Sequence, residues 1–202
     1  METASSFLSV AIGRVLGAAL GGRSDDPELA TREMRLSAVV DVIRESAVRS
    51  VADIGCGEGD LIAEFAREQH LQRLIGVDLS VRELERAKIR LSRLTMRTDL
   101  RERIEFFQSS ILYWDERLRG VEALALLEVI EHIDTGRLES LERVVFREIR
   151  PKLAIVTTPN SEYNILFPRL PAAHLYAVHL APIGDVHPNF GGPTQMAVFR
   201  CA

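Results

Sequence analysis

A short apolar run that ends in an acid and three spaced glycines constrains this chain most. Ser50-Val51-Ala52-Asp53-Ile54 has the pattern of a strand, and it runs directly into Gly55-Cys56-Gly57-Glu58-Gly59. Residues 60–69 carry Leu61, Ile62 and Phe65 at helical spacing. A strand that turns through glycines into a helix is the first half of a βαβ unit. The rest of the chain repeats the alternation. Strands are expected at 73–78, 104–107, 121–127 and 153–157, and helices over 28–46, 81–97 and 135–148. Val121 to Leu127 is nearly all apolar, as a strand covered on both faces requires. Two further strands are expected near 175–181 and 194–200. The expected fold is α/β, with a doubly wound, mainly parallel sheet of seven strands.

The remaining composition narrows the setting. A length of 202 residues with 47% hydrophobic and 27% charged residues fits one folded domain plus a short extension. Residues 1–27 read as that N-terminal extension or linker, and 28–202 as the domain. The apolar stretch from Phe7 to Leu20 is too short to span a bilayer and is interrupted by Arg14, so no membrane role is expected. The net charge of −4 argues against salt-driven wrapping of a long nucleic acid but permits a few placed contacts to one end. Cys56 and Cys201 are too few for a disulfide framework, which makes a reducing, cytoplasmic location the expectation.

The glycine turn differs from a dinucleotide site. Its spacing is G-x-G-x-G, and Asp53 stands two residues before the first glycine. A carboxylate facing that turn repels a pyrophosphate and suits a ligand with a cationic amino-acid end. Asp78 closes the second expected strand 23 residues after Gly55, where a carboxylate accepts the hydroxyls of a ribose. Both features resemble the class I S-adenosylmethionine-dependent methyltransferases. That resemblance implies an antiparallel final strand pair, which the two tail strands would supply. A nicotinamide oxidoreductase is disfavoured by the Asp53 turn. Cys56, inside the turn, reads as a small residue filling space rather than a reactive thiol.

A second cluster follows the fourth strand. Glu128-Val129-Ile130-Glu131-His132 begins where the apolar run ends, at the carboxyl edge of the expected sheet. If the chain turns helically there, Glu128, Glu131 and His132 share one face. Two carboxylates and an imidazole suit Mg²⁺ or Mn²⁺, which can hold vicinal hydroxyls and lower the pKa of one. His132 is a candidate base for that proton. The bland alternative is a solvated Glu/His turn with no ligand.

Five segments then stand in order: the glycine turn, Gly76-Val77-Asp78-Leu79-Ser80, Gln108-Ser109-Ser110, Glu128 to His132, and Thr158-Pro159-Asn160-Ser161-Glu162-Tyr163-Asn164. Together with Pro193 to Phe199 they resemble the HEN (HUA enhancer) family of small-RNA 3′-terminal 2′-O-methyltransferases, over about residues 30–202. The resemblance implies transfer of a methyl group from S-adenosylmethionine to the 2′-hydroxyl at an RNA 3′ end that bears a free 2′,3′-diol. It assigns Asp53, Gly55, Cys56, Gly57 and Gly59 to the cofactor turn. Asp78 and Leu79 fall at the cofactor's ribose, and Ser110 near its adenine. Glu128, Glu131 and His132 become the ligands of a Mg²⁺ or Mn²⁺ ion and the catalytic set, with one further histidine completing the ion. Partners implied are an RNA end-healing kinase–phosphatase–ligase or an N-terminal domain that is not in this chain.

The match breaks after Asn164. The family has a His-rich segment there that supplies the last ligand, and this sequence passes from Pro168-Arg169-Leu170-Pro171 to Ala172-Ala173-His174 without it. Either the segment near 168–173 belongs to the natural chain and is missing from this sequence, or it has been lost together with that ligand. His174, His179 and His187 read as structural or surface residues, so no fourth ligand is assigned. Between Val81 and Arg103 there are eight Lys or Arg against four Asp or Glu. This reads as the solvated face of a long helix before it reads as a phosphate track. The alternatives to an RNA enzyme are a class I methyltransferase acting on a small molecule or protein, and a non-catalytic S-adenosylmethionine-binding subunit.

Overall fold

A computed structural model describes residues 27–94, 102–159, 180–183 and 194–200. Helix α1 spans Pro27–Arg44, β1 Ser50–Ile54, α2 Asp60–Phe65, β2 Arg73–Asp78, α3 Val81–Leu94, β3 Ile104–Gln108 and β4 Ala123–Leu127. Then come α4 at Leu138–Arg143, continued by a π-helical stretch Val144–Ile149, and β5 at Leu153–Pro159, β6 at Leu180–Ile183 and β7 at Thr194–Arg200. The strands hydrogen-bond in the order β3-β2-β1-β4-β5-β7-β6. β1 pairs in parallel with β2 and β4, β2 in parallel with β3, and β6 antiparallel with β7. This is the expected seven-stranded, mainly parallel sheet with an antiparallel final pair. The order reverses at β1, where the chain returns past β2 and β3 to lay β4 on the other side. Ligands of such sheets bind outside the carboxyl ends of the strands at that switch point.

The chain divides into two compact units, 48–156 with 198–202, and 1–47 with 157–197. In the first, Ala52, Ile54, Ile75, Val77, Leu124 and Leu126 form one sheet face and pack with Val144, Val145 and Ile149 of the α4 segment. Val51, Leu74 and Ala123, which alternate with them, are also buried. Strands covered on both faces read as unbroken apolar runs, which is why β4 lacked polar alternation. Phe146 packs edge-on against Phe199 at 5.5 Å. In the second unit, α1 buries Ala38, Val39, Val40, Val42 and Ile43, and Arg35 donates to the hydroxyl of Thr194 at 3.3 Å.

Some boundaries differ from expectation. α2 stops at Phe65 instead of 69, because Arg103, remote in sequence, donates to the carbonyls of Ala66, Glu68 and Leu71. The helix expected over 135–148 is a 3₁₀ turn at Thr135–Arg137, then α, then π, and it ends on Arg150 in a left-handed conformation. β6 begins at Leu180, so residues 175–179 of the expected strand lie outside the described residues, as does the end of α3 at 95–97. Among the described residues, no helix is long and apolar enough to cross a membrane.

Candidate active site

The glycine turn sits on the carboxyl ends of β1 and β2. Gly55, Gly57 and Gly59 have φ of 75°, 50° and 78°, a region where a side chain is strained. The amides of Gly55 and Cys56 both donate to the carbonyl of Val77, at 2.7 and 3.0 Å, which folds the turn back over β2. Nothing lies within 4 Å of where a Cβ on Gly57 would stand, so the backbone there is open to a close ligand. Gly59, in contrast, is closed: a Cβ would lie 3.1 Å from Ala87 and 3.2 Å from Leu91 of α3.

Two acids flank the turn. Asp78, half-buried, accepts from the amide of Gly57 through Oδ2 at 2.9 Å and from Ser80 through Oδ1 at 2.8 Å. Each oxygen keeps a lone pair for a further donor, as a ribose contact needs. Asp53 is buried at the end of β1, in register with Gly76 and Ala125. Burial, and then the negative charge of Asp78, push its carboxyl up to about 7. A cationic ligand group would replace the lost solvation, so the acidic end of the turn suits an amino-acid moiety. Cys56 is buried, and burial with the charges of Asp53 and Asp78 holds its thiol well above the ordinary range. That makes it an inert filler. Its Sγ would lie 3.1 Å from a Cβ on Gly76, whose place is taken by the ring of Phe106, only 2.3 Å away. Leu79 is 68% exposed beside Asp78, and Ser110 accepts from the amide of Leu112 at 3.3 Å.

The acid–histidine segment takes a different shape from the one expected. Glu128 has φ of 55°, and only Ile130–His132 form a 3₁₀ turn. Helical spacing therefore does not place Glu128 on one face with Glu131 and His132, because the left-handed residue at the end of β4 swings the chain before the turn begins. His132 is exposed, and its amide donates to the carbonyl of Val129 at 3.1 Å. The donor set suits a hard or borderline divalent ion. Yet among the described residues no group of three His, Cys, Asp or Glu side chains is close enough together to hold a metal. The three residues share one segment without converging on one point. The segment does meet the glycine turn: a Cβ on Gly55 would lie 2.7 Å from Cγ2 of Val129.

Residues 51–152 match the family described as "Methyltransferase domain", and residues 2–54 match "RNA repair, ligase-Pnkp-associating, region of Hen1". The rat small RNA 2′-O-methyltransferase is 31% identical over 140 residues, covering 67% of this chain and 36% of that protein. The Arabidopsis thaliana protein of the same name is 34% identical over 139 residues, covering 68% of this chain and 15% of its own length. The crystal structure of the methyltransferase domain of a bacterial Hen1 superposes with a TM-score of 0.77 at 37% identity, over 84% of this chain and 99% of that one. The chain belongs to the Hen1 methyltransferase family. It spans 36% of the length of the rat relative.

For a Hen1 methyltransferase the placements sort cleanly. Asp53, Gly55, Cys56, Gly57, Gly59 and Asp78 come together around one turn at the sheet's switch point. Glu128, Glu131 and His132 stand on the neighbouring loop, after β4. Asn160–Asn164, His174, His179, His187, Cys201 and the break near 168–173 lie outside the described residues, as do residues 1–26 of the N-terminal extension. Gln108 stands in one of the five segments but was given no role by sequence, and its Nε2 donates to the carbonyl of Leu79 at 2.8 Å and so fixes the loop after Asp78. Its local signal is an amide side chain closing the short strand Ile104-Glu105-Phe106-Phe107-Gln108.

The basic run on α3 resolves as a solvated face. Arg86 pairs with Glu58 and Glu83 at 3.1 Å each, Lys88 with Glu85 at 2.8 Å, and Arg90 with Asp60.

Proposed function

We propose that this chain transfers the methyl group of S-adenosylmethionine to the 2′-hydroxyl of the 3′-terminal nucleotide of an RNA, which marks or protects that end. The reading is carried by one juxtaposition. A turn built for an amino-acid and ribose ligand lies against a loop with two carboxylates and an imidazole, in a chain whose relatives are named small RNA 2′-O-methyltransferases.

The chain's residues divide the work. Asp78, oriented by the amides of Gly57 and Ser80, receives the ribose hydroxyls of the cofactor. Asp53 meets its amino group, and Leu79 and Ser110 bound the nucleoside. S-adenosylmethionine supplies a methyl group on a positively charged sulfur, so positioning and proton removal are what the protein must add. A C–O bond forms to the 2′-oxygen as the C–S bond breaks, and the sulfur leaves neutral with the electron pair. The 2′-proton goes to a neutral ring nitrogen of His132.

Glu128, Glu131 and His132 are donors of the right chemical type for a Mg²⁺ or Mn²⁺ ion, which would lower the pKa of the acceptor hydroxyl, but they do not converge in this structure, so the ion is left to the chelator test. His132 thus has two candidate roles, base and ion donor, and a chelator separates them. The match of residues 2–54 to a ligase-Pnkp-associating region supports an RNA end-healing kinase–phosphatase–ligase as partner. A cytoplasmic location fits the free thiol of Cys56.

The test is methyl transfer from labelled cofactor to three matched RNAs ending in a 2′,3′-diol, a 2′-deoxy nucleotide or a 3′-phosphate. Label on the diol RNA alone is expected, and its loss with chelator supports the ion. Equal labelling of all three sinks the terminal-diol reading. Labelling of none, with S-adenosylhomocysteine still bound, favours a small-molecule or protein acceptor, or a non-catalytic subunit.

A further inference from the structure

Val129 lies between the two halves of the site, and each of its parts touches one of them. A Cβ on Gly55 would stand 2.7 Å from its Cγ2 and 3.9 Å from its Cβ and Cγ1, so the isopropyl group fills the space a side chain at Gly55 would take. Its carbonyl accepts the amide of His132 at 3.1 Å. Its apolar surface packs on the core formed by β1, β2, β4 and α4. The residue before it, Glu128, is held at φ 55°, a strained conformation for a non-glycine residue that persists only where its surroundings hold it. On the other side, the amide of Gly55 is fixed to the carbonyl of Val77, the residue before Asp78. One chain of contacts therefore runs from the end of β2 through Gly55 and Val129 to His132.

Two loops leaving adjacent strands have no fixed spacing of their own, and in-line transfer tolerates little error in it. A branched, half-buried side chain wedged between the two backbones supplies that spacing. We infer that Val129 is a positioning residue whose isopropyl group, seated on Gly55, sets the distance between the cofactor turn and the Glu128–His132 turn and couples the two. The inference rests on the proposed function for what each turn holds. The coupling itself needs only the contact.

The test compares the full chain with Val129→Ala, Val129→Leu and Val129→Thr. Leucine keeps the apolar volume but moves the branch off Cβ, a swap that cores ordinarily tolerate. Threonine keeps the branched shape. With the diol RNA, kcat is expected to fall about tenfold to a hundredfold in V129A and V129L, with KM for the cofactor nearly unchanged and V129T close to wild type. Independently of activity, the imidazole NMR signals of His132 are expected to shift when S-adenosylhomocysteine binds the wild type, and to stay in place when it binds V129L.

A V129L protein with wild-type kcat, or His132 signals that respond equally in wild type and V129L, would make Val129 a packing residue and overturn the inference. A wild type that methylates none of the RNAs overturns the functional reading instead, and the NMR comparison then decides the coupling by itself.

Discussion

Asp53 is the residue whose chemistry departs furthest from what its side chain does in water. In the unfolded chain it ionises near 3.8, and in the folded protein it keeps its proton to about 7. Between those values the folded state binds more protons than the unfolded one. The contribution of Asp53 to stability is therefore fully present below 3.8 and is lost as the pH rises toward 7. A bound cationic group acts in the opposite sense, because it favours the ionised carboxyl. Affinity for S-adenosylhomocysteine should then rise about tenfold between pH 6 and pH 8, following the ionised fraction of Asp53. Calorimetric titration across that range checks this. Asp53→Asn should bind more weakly and lose most of the slope, and an unchanged slope in that variant would remove Asp53 from the ligand. The acid's identity and place were legible in the sequence. Its shifted proton affinity was not, since that depends on burial and on Asp78, which only the paired strands bring close.

At the scale of elements, the end of α4 carries a correctable strain. Arg150 closes the π-helical stretch with φ 52° and ψ 57°, exposed, its amide donating to Val145 at 2.9 Å. Glycine takes that conformation without the clash of a Cβ, and helices commonly end on one. Arg150→Gly should therefore stabilise the protein by about 1 kcal/mol, read as a higher urea midpoint at unchanged slope. A lower midpoint would mean that the Arg150 side chain contributes more than its backbone costs. The same helix shows where sequence patterns reach their limit. Its apolar spacing located it, but the switch from 3₁₀ through α to π depends on how Val144, Val145 and Ile149 seat on the sheet. The glycine turn and β1 to β5 were legible because period and punctuation are local. The early end of α2 was not, because Arg103 imposes it from another part of the chain. The helical condition set on the Glu128 turn is not met, for a related reason. Spacing of i, i+3 and i+4 implies a shared face only in a helix, and a left-handed residue at the strand end breaks that premise.

For the molecule as a whole, charge and topology together bear on how it would meet RNA. The sheet gathers the glycine turn and the Glu128–His132 turn at one switch point, so on the proposed function recognition can be confined to a chain end. The net charge is −4, and on α3, the densest basic run, Arg86, Lys88 and Arg90 are matched by Glu58, Glu83, Glu85 and Asp60. Exposed pairs of this kind add little stability, but they spend the cations that a phosphate track would need. A protein that neutralises 6–10 phosphates loses about 10³–10⁵ in affinity between 50 and 200 mM salt. An end-reader with one or two phosphate contacts should lose less than about tenfold over that range. KM for the diol RNA, measured at both salt concentrations with saturating cofactor, distinguishes the two. A loss beyond a hundredfold would require a phosphate track beyond the paired cations of α3, and it would make RNA length matter where a terminal diol alone predicts indifference.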